Sequence, residues 1–197
     1  MAYSEYTFVR LKEEYGIAQL STKLFQENQI QERTPSKRLE EDINDAKLMP
    51  LYSEKAKSEA IIYPIIRELK KNNAHISVFS GYTFNVNSEL TGAPDFLISS
   101  KPNLVEPQSP IFCLVESKNK SPEEGFAQCA AEMYAAHLFN QRMKEEEKPI
   151  FGAVTNGFDW VFLKYENNTI LVDIDRYYLI QLPMVLGILE YIIEQYK

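Results

Sequence analysis

The order of hydrophobic patterns along this chain predicts an α/β fold: a mixed central sheet flanked by helices, with a hairpin and a helix at the C-terminal end. Three observations carry that expectation. Ile61, Ile62, Ile65, Ile66 and Leu69 recur at helical spacing. Short β-branched and aromatic runs follow at 75–86, 95–99 and 111–116, and a hairpin signal near the end excludes a strictly parallel sheet.

Taken in order, Pro35-Ser36 opens a charged helix running through Arg38, Glu40 and Asp45 toward Leu48, within a polar stretch from Gln26 to Asp45. Ser53 then serves as N-cap of the helix carrying the isoleucines, Pro64 predicts a kink or break inside it, and Asn72-Asn73 ends it. In the run 75–86, Gly81 marks a bulge. Gly92-Ala93-Pro94 is a turn, and the prolines at 102, 107 and 110 make 101–110 a loop, so three neighbouring strands result. Ser121 and Pro122 start a long helix with Glu123 and Glu124 in its first turn, reaching about Met143. A strand at 150–155, two strands around Asn167-Asn168, and a final helix from about Pro183 to Gln195 complete the pattern.

At 197 residues the chain is predicted to form one domain over 1–197, with 1–50 a peripheral N-terminal extension. Its 45% apolar and 25% charged residues match a folded globular chain rather than a disordered one. The first residues carry no secretory pattern, and the apolar stretch 178–193 is broken by Gln181, Pro183 and Glu190, so a cytoplasmic protein with no membrane span is expected. Cys113 and Cys129 lack zinc or redox spacing and read as reduced, buried thiols. A net charge of −7 argues against binding nucleic acid through a broad basic surface; any such role must rest on a local site.

The sharpest local feature is Gly92-Ala93-Pro94-Asp95-Phe96-Leu97-Ile98 followed by Phe112-Cys113-Leu114-Val115-Glu116-Ser117-Lys118. Asp95 opens one apolar run and Glu116 closes the next. Residues two apart on a strand share a face, so Glu116 and Lys118 project together while Ser117 offers its backbone carbonyl nearby. Two carboxylates and a carbonyl are hard ligands suited to Mg²⁺ or Mn²⁺, and an adjacent ammonium can stabilise charge developing on a phosphate. Other acid-x-Lys triplets, ending at Lys47, Lys70 and Lys148, lie in charged or helical surroundings; only Glu116 follows a strand-like run. The rival reading is a charged strand end that merely faces water. Gln128, on a helical face with Glu132, is in reach of the cluster or else lies on a solvated face. Glu59 stands three and seven residues before Ile62 and Ile66, which points it into a cleft unless it pairs with Lys55 one turn earlier. His75 and His137 have no companion ligand and read as structural.

Pro94-Asp95, Glu116-Ser117-Lys118 and Gln128 resemble the motif of the PD-(D/E)XK nuclease superfamily, which includes restriction-endonuclease-like enzymes. A closer likeness is to a set of uncharacterised bacterial members, through Lys57-Ser58-Glu59, Phe79-Ser80-Gly81, Glu116-Ser117-Lys118-Asn119, Gln128 to Met133, Phe139-Asn140 and Val154-Thr155-Asn156-Gly157 before Trp160. The likeness spans about 36–178. It implies a restriction-endonuclease-like sheet and an Mg²⁺ (or Mn²⁺) site ligated by Asp95, Glu116 and the Ser117 carbonyl. It further implies that Lys118 serves the transition state, that Gln128 orients the site, and that Glu59 is the helical acid and a further candidate ligand. The activity implied is phosphodiester hydrolysis, on DNA ahead of RNA, by a homodimer or with a partner subunit that supplies specificity. The superfamily also includes members that have lost catalysis, so an inactive interaction or regulatory module is the alternative.

Overall fold

A computed structural model of the chain describes residues 1–26 and 28–197. Its elements in chain order are α1 (Phe8–Tyr15), β1 (Ala18–Thr22), α2 (Lys37–Ala46), α3 (Glu54–Lys57), α4 (Tyr63–Asn72), β2 (Ser77–Ser80), β3 (Phe96–Ser99) and β4 (Ile111–Ser117). These are followed by α5 (Phe126–Arg142), β5 (Ile150–Thr155), β6 (Asp159–Glu166), β7 (Thr169–Asp173), β8 (Tyr177–Tyr178) and α6 (Leu182–Glu194). Among the described residues the strands form one mixed sheet in the order β1-β7-β6-β5-β4-β3-β2, with β8 added beside β6. β4 and β5 are parallel, as are β1 and β7; the other neighbours run antiparallel. No helix among the described residues is long and apolar enough to cross a membrane.

The α/β expectation therefore holds, and so do the three neighbouring strands β4, β3 and β2. Helices cover both faces of the sheet. On one face α2, α4 and α6 bury Leu39, Ile43, Ile65, Leu69, Ile188 and Ile192 against Phe96, Val115, Trp160 and Phe162. On the other, α5 lays Cys129, Ala130 and Met133 over Leu114 and Val154. Small residues let α5 sit close: a Cβ added at Gly152 of β5 would come within 2.6 Å of both the Cys129 and Met133 sulfurs.

Local chemistry explains the element ends. The Ser36 and Ser53 hydroxyls accept the N–H groups of Leu39 and Ala56, capping α2 and α3 as expected. Asn73 closes α4 by donating its side-chain amide to the Leu69 carbonyl. The hairpin turns through Asn167 and Asn168 at φ 50° and 54°, the left-handed pair that a two-residue turn requires. Pro64 acts less abruptly than a break: lacking an N–H, it is accommodated by a π-helical turn, Ser58–Ile62, between α3 and α4.

Three expectations need correction. The run 75–86 yields only the short β2, because Gly81, at φ 59°, turns the chain out of the sheet instead of bulging it. Pro122–Gly125 is a 3-10 turn, so the long helix begins at Phe126 and Ser121 gives it no side-chain cap. Residues 1–50 are not peripheral: β1 extends the sheet, Tyr3, Tyr6, Leu11 and Ile17 are buried on one face, and Leu39 and Ile43 on the other.

Candidate functional site

The C-terminal end of β4 gathers the polar cluster. Phe96 pairs with Val115 across the antiparallel β3–β4 ladder, which puts Asp95, the residue before β3, at the same end of the sheet as Glu116. Glu116 follows Leu114 by two positions and therefore turns to the α5 side. There the Gln128 side-chain amide donates to Glu116 Oε1 at 2.5 Å and to Glu132 Oε1 at 3.2 Å. Lys118 Nζ donates to Glu116 Oε1 at 2.7 Å and to Gln128 Oε1 at 3.0 Å. Asp95 Oδ2 accepts the Ser117 N–H at 2.7 Å and its hydroxyl at 2.5 Å. On an extended strand one residue's N–H and C=O leave on the same side, so the Ser117 carbonyl also turns toward the β3 edge.

The loop that follows is pinned from both sides. Lys57 Nζ donates to the Asn119 carbonyl at 2.5 Å, and the Asn156 side chain donates to the Lys120 carbonyl at 2.8 Å. Beneath it, Gly125 leaves space for the lysine stem: a Cβ there would lie 2.9 Å from Lys118 Cε and 2.7 Å from Val154 Cγ1.

Charge in the cluster is unbalanced. Burial, and then the nearby Asp95 charge, push the Glu116 carboxyl up to about 7 against the opposing pull of Lys118. Glu132, fully buried, is driven well above its ordinary range by burial and then by Glu116. Burial opposes the charge on Lys118, but the carboxylates of Glu116, Glu54 and Asp95 outweigh it and hold the ammonium above its ordinary value. One carboxylate oxygen on each of Glu116 and Glu132 is buried without a hydrogen-bond partner.

The sequence-predicted residues Asp95, Glu116, Ser117, Lys118 and Gln128 are thus brought together, and Glu59 is not. Its side chain is 69% exposed and pairs with Lys55 at 3.8 Å, the rival reading of that position. Glu54, in the first turn of α3, adds to the charge that holds Lys118 above its ordinary value. Sequence reasoning also passed over Glu132, whose only signal was sharing a helical face with Gln128.

The donor set fits a hard divalent cation. Asp95 is bonded to Ser117, the residue after Glu116, an oxygen of Glu116 lies without a partner, and the carboxyls outnumber the ammonium. Among the described residues no three or more His, Cys, Asp and Glu side chains form a ready-made metal cage. Mg²⁺ does not require one, being commonly held by one or two carboxylates and completed by water.

Comparison of the chain with models of known protein families finds no match, and comparison with curated proteins finds none. The functional reading therefore rests on the cluster itself.

Proposed function

We propose that this protein is an Mg²⁺- or Mn²⁺-dependent nuclease, with DNA the favoured substrate, built as a single PD-(D/E)XK domain of restriction-endonuclease-like fold. The observation that carries this reading is the convergence of Asp95, Glu116, Lys118 and Gln128 at one strand end: Lys118 and Gln128 both donate to Glu116 Oε1, and Ser117 holds Asp95. Asp95, Glu116 and the Ser117 carbonyl would hold the ion. When bound, such an ion supplies Lewis acidity at a phosphoryl oxygen and lowers the pKa of a coordinated water.

The remaining roles belong to the protein's own groups. The Lys118 ammonium, fixed by Glu116 and Gln128, faces the cluster and stabilises negative charge that builds on the phosphate as water attacks phosphorus and the ester oxygen leaves. Gln128 is a positioning residue: one amide touches Glu116, Lys118 and Glu132 and so fixes the lysine's direction. Ser117 anchors Asp95 through two hydrogen bonds. The buried free thiols of Cys113 and Cys129 suit a reducing, cytoplasmic setting.

The test is incubation of purified protein with single- and double-stranded DNA and RNA in Mg²⁺ or Mn²⁺. Asp95→Ala and Lys118→Ala should each lower cleavage by about 10²-fold or more. Cleavage unchanged in both variants removes the assignment of the site. The net charge of −7 favours a second reading, a nuclease fold without turnover that acts as an interaction or regulatory module. Absence of cleavage together with absence of cation binding at millimolar Mg²⁺ or Mn²⁺ would leave that reading ahead.

A further inference from the structure

The chain holds 12 Tyr, 11 Phe and one Trp, and most lie within its two cores. Among the described residues the aromatics left exposed are Tyr52, Tyr63, Tyr82, Phe158 and Tyr178, at 38% to 87% of their full surface. Scattered single exposed rings carry no meaning. Three of these are not scattered: Tyr82, Phe158 and Tyr178 are tied to the end of the sheet that carries the carboxylates.

Tyr82 follows Gly81, whose N–H donates to the Asp95 carbonyl at 2.9 Å. Phe158 sits in the turn after β5, held by Asn156, which also holds the Lys120 carbonyl. Tyr178 stands opposite Asp159 in the β6–β8 ladder, and the next N–H, from Leu179, donates to the Phe158 carbonyl.

Several cations around this rim are engaged, while Lys120 stands exposed. Lys55 pairs with Glu59, Arg176 pairs with Glu123, and Lys57 is tied to Asn119. A duplex keeps its bases stacked inside and offers its phosphates, so a duplex binder needs rows of Lys and Arg. An unpaired strand offers the π-faces of its bases, which aromatic side chains take at about 1–3 kcal/mol each.

We infer that the nucleic acid taken at this site is single-stranded, its bases stacking on the exposed rings, chiefly Phe158, Tyr178 and Tyr82, on either side of the cluster. The inference rests on the nuclease reading and specifies its substrate.

The experiment measures fluorescence anisotropy of labelled oligo(dT), oligo(U) and a duplex of equal length in EDTA, which prevents turnover. The single strands should bind at least about tenfold tighter than the duplex. Phe158→Ala and Tyr178→Ala should each weaken single-strand binding by about tenfold or more at unchanged melting temperature. Duplex binding equal to or tighter than single-strand binding overturns the inference, as does unchanged affinity in both variants. Failure to bind any of the three probes also overturns it. Hydrolysis of bis(p-nitrophenyl) phosphate with Mn²⁺, compared between the wild type and Asp95→Ala, reports on the nuclease reading alone. Hydrolysis without single-strand preference sinks the stacking and keeps the nuclease; stacking without hydrolysis does the reverse.

Discussion

Glu68 and Glu190 on one side of the sheet, and Glu116 and Glu132 on the other, are all buried carboxylates, and the fold treats the two pairs in opposite ways. Glu68 receives the Ser36 N–H and hydroxyl, one on each oxygen, both at 2.7 Å, and Glu190 receives the Asn73 amide on both oxygens at 2.9 Å. Each therefore pins one segment to another, Glu68 holding the start of α2 to α4 and Glu190 holding α6 to the end of α4. Glu116 and Glu132 instead keep one oxygen each without a hydrogen-bond partner, and burial holds both carboxyls above their ordinary range. Buried polar groups are almost always satisfied, so an unsatisfied pair of perturbed acids beside a single ammonium marks a place built for something other than stability.

The largest effect that separates the two pairs comes from removing that ammonium. Lys118→Met leaves Asp95, Glu116 and Glu132 without compensation, and breaking a largely buried pair costs about 3–5 kcal/mol. Urea denaturation at pH 8 should read that loss, and it should shrink toward pH 5, where Glu116, with its carboxyl at about 7, already holds its proton. A midpoint unaltered at pH 8 would mean that the cluster is solvated and that the comparison with Glu68 and Glu190 has no content.

The chemistry of this cluster was legible in the sequence because it depends on short-range geometry. Asp95 opens an apolar run, Glu116 and Lys118 lie two apart on a strand, and Gln128 lies on the following helix; each needs only a local period to be placed. For Glu59 the sequence left two readings, and the structure bears out the pair with Lys55 rather than the cleft. Its face was inferred from Ile62 and Ile66, but the π-helical turn at Ser58–Ile62 alters the residues per turn just where that phase is carried back. The first strand was invisible because all five of its residues are exposed, so Ala18–Thr22 shows no alternation to read. The pins at Lys57, Asn119 and Asn156 stand in the motifs of the resemblance, yet their partners come from distant segments that only the folded chain joins.

Substitutions within the two pairs should move stability in opposite directions. Glu68→Ala strips both partners from Ser36 and should cost about 1–3 kcal/mol. Glu132→Gln should stabilise by about 1 kcal/mol at pH 8, a rise of roughly 2–4 °C in melting temperature for a chain of this size. The sign follows from linkage. A buried carboxyl raised above its ordinary value of 4.5 binds more protons folded than unfolded, so stability falls as pH climbs above that value. Removing the titrating group removes the fall, and the gain of the Gln variant should grow with pH from about 4.5 upward. Calorimetric scans at pH 5 and pH 8 measure both; a Glu132→Gln variant less stable than the wild type at pH 8 would place Glu132 with the structural pins.

The smallest effect tests the cation directly. At a concentration tenfold above its dissociation constant, an ion bound only by the folded state adds about 1.4 kcal/mol, or roughly 2–4 °C in melting temperature. Binding must displace the proton that Glu116 carries below about 7, so the shift in Mg²⁺ or Mn²⁺ should be larger at pH 8 than at pH 6. Asp95→Ala should abolish it, because one of the two carboxylates proposed to hold the ion is gone. Glu59→Ala should keep it, because that side chain points to solvent and pairs with Lys55. If both variants retain an equal shift, the ion sits elsewhere on an acidic surface, and the unsatisfied oxygens of Glu116 and Glu132 need another explanation.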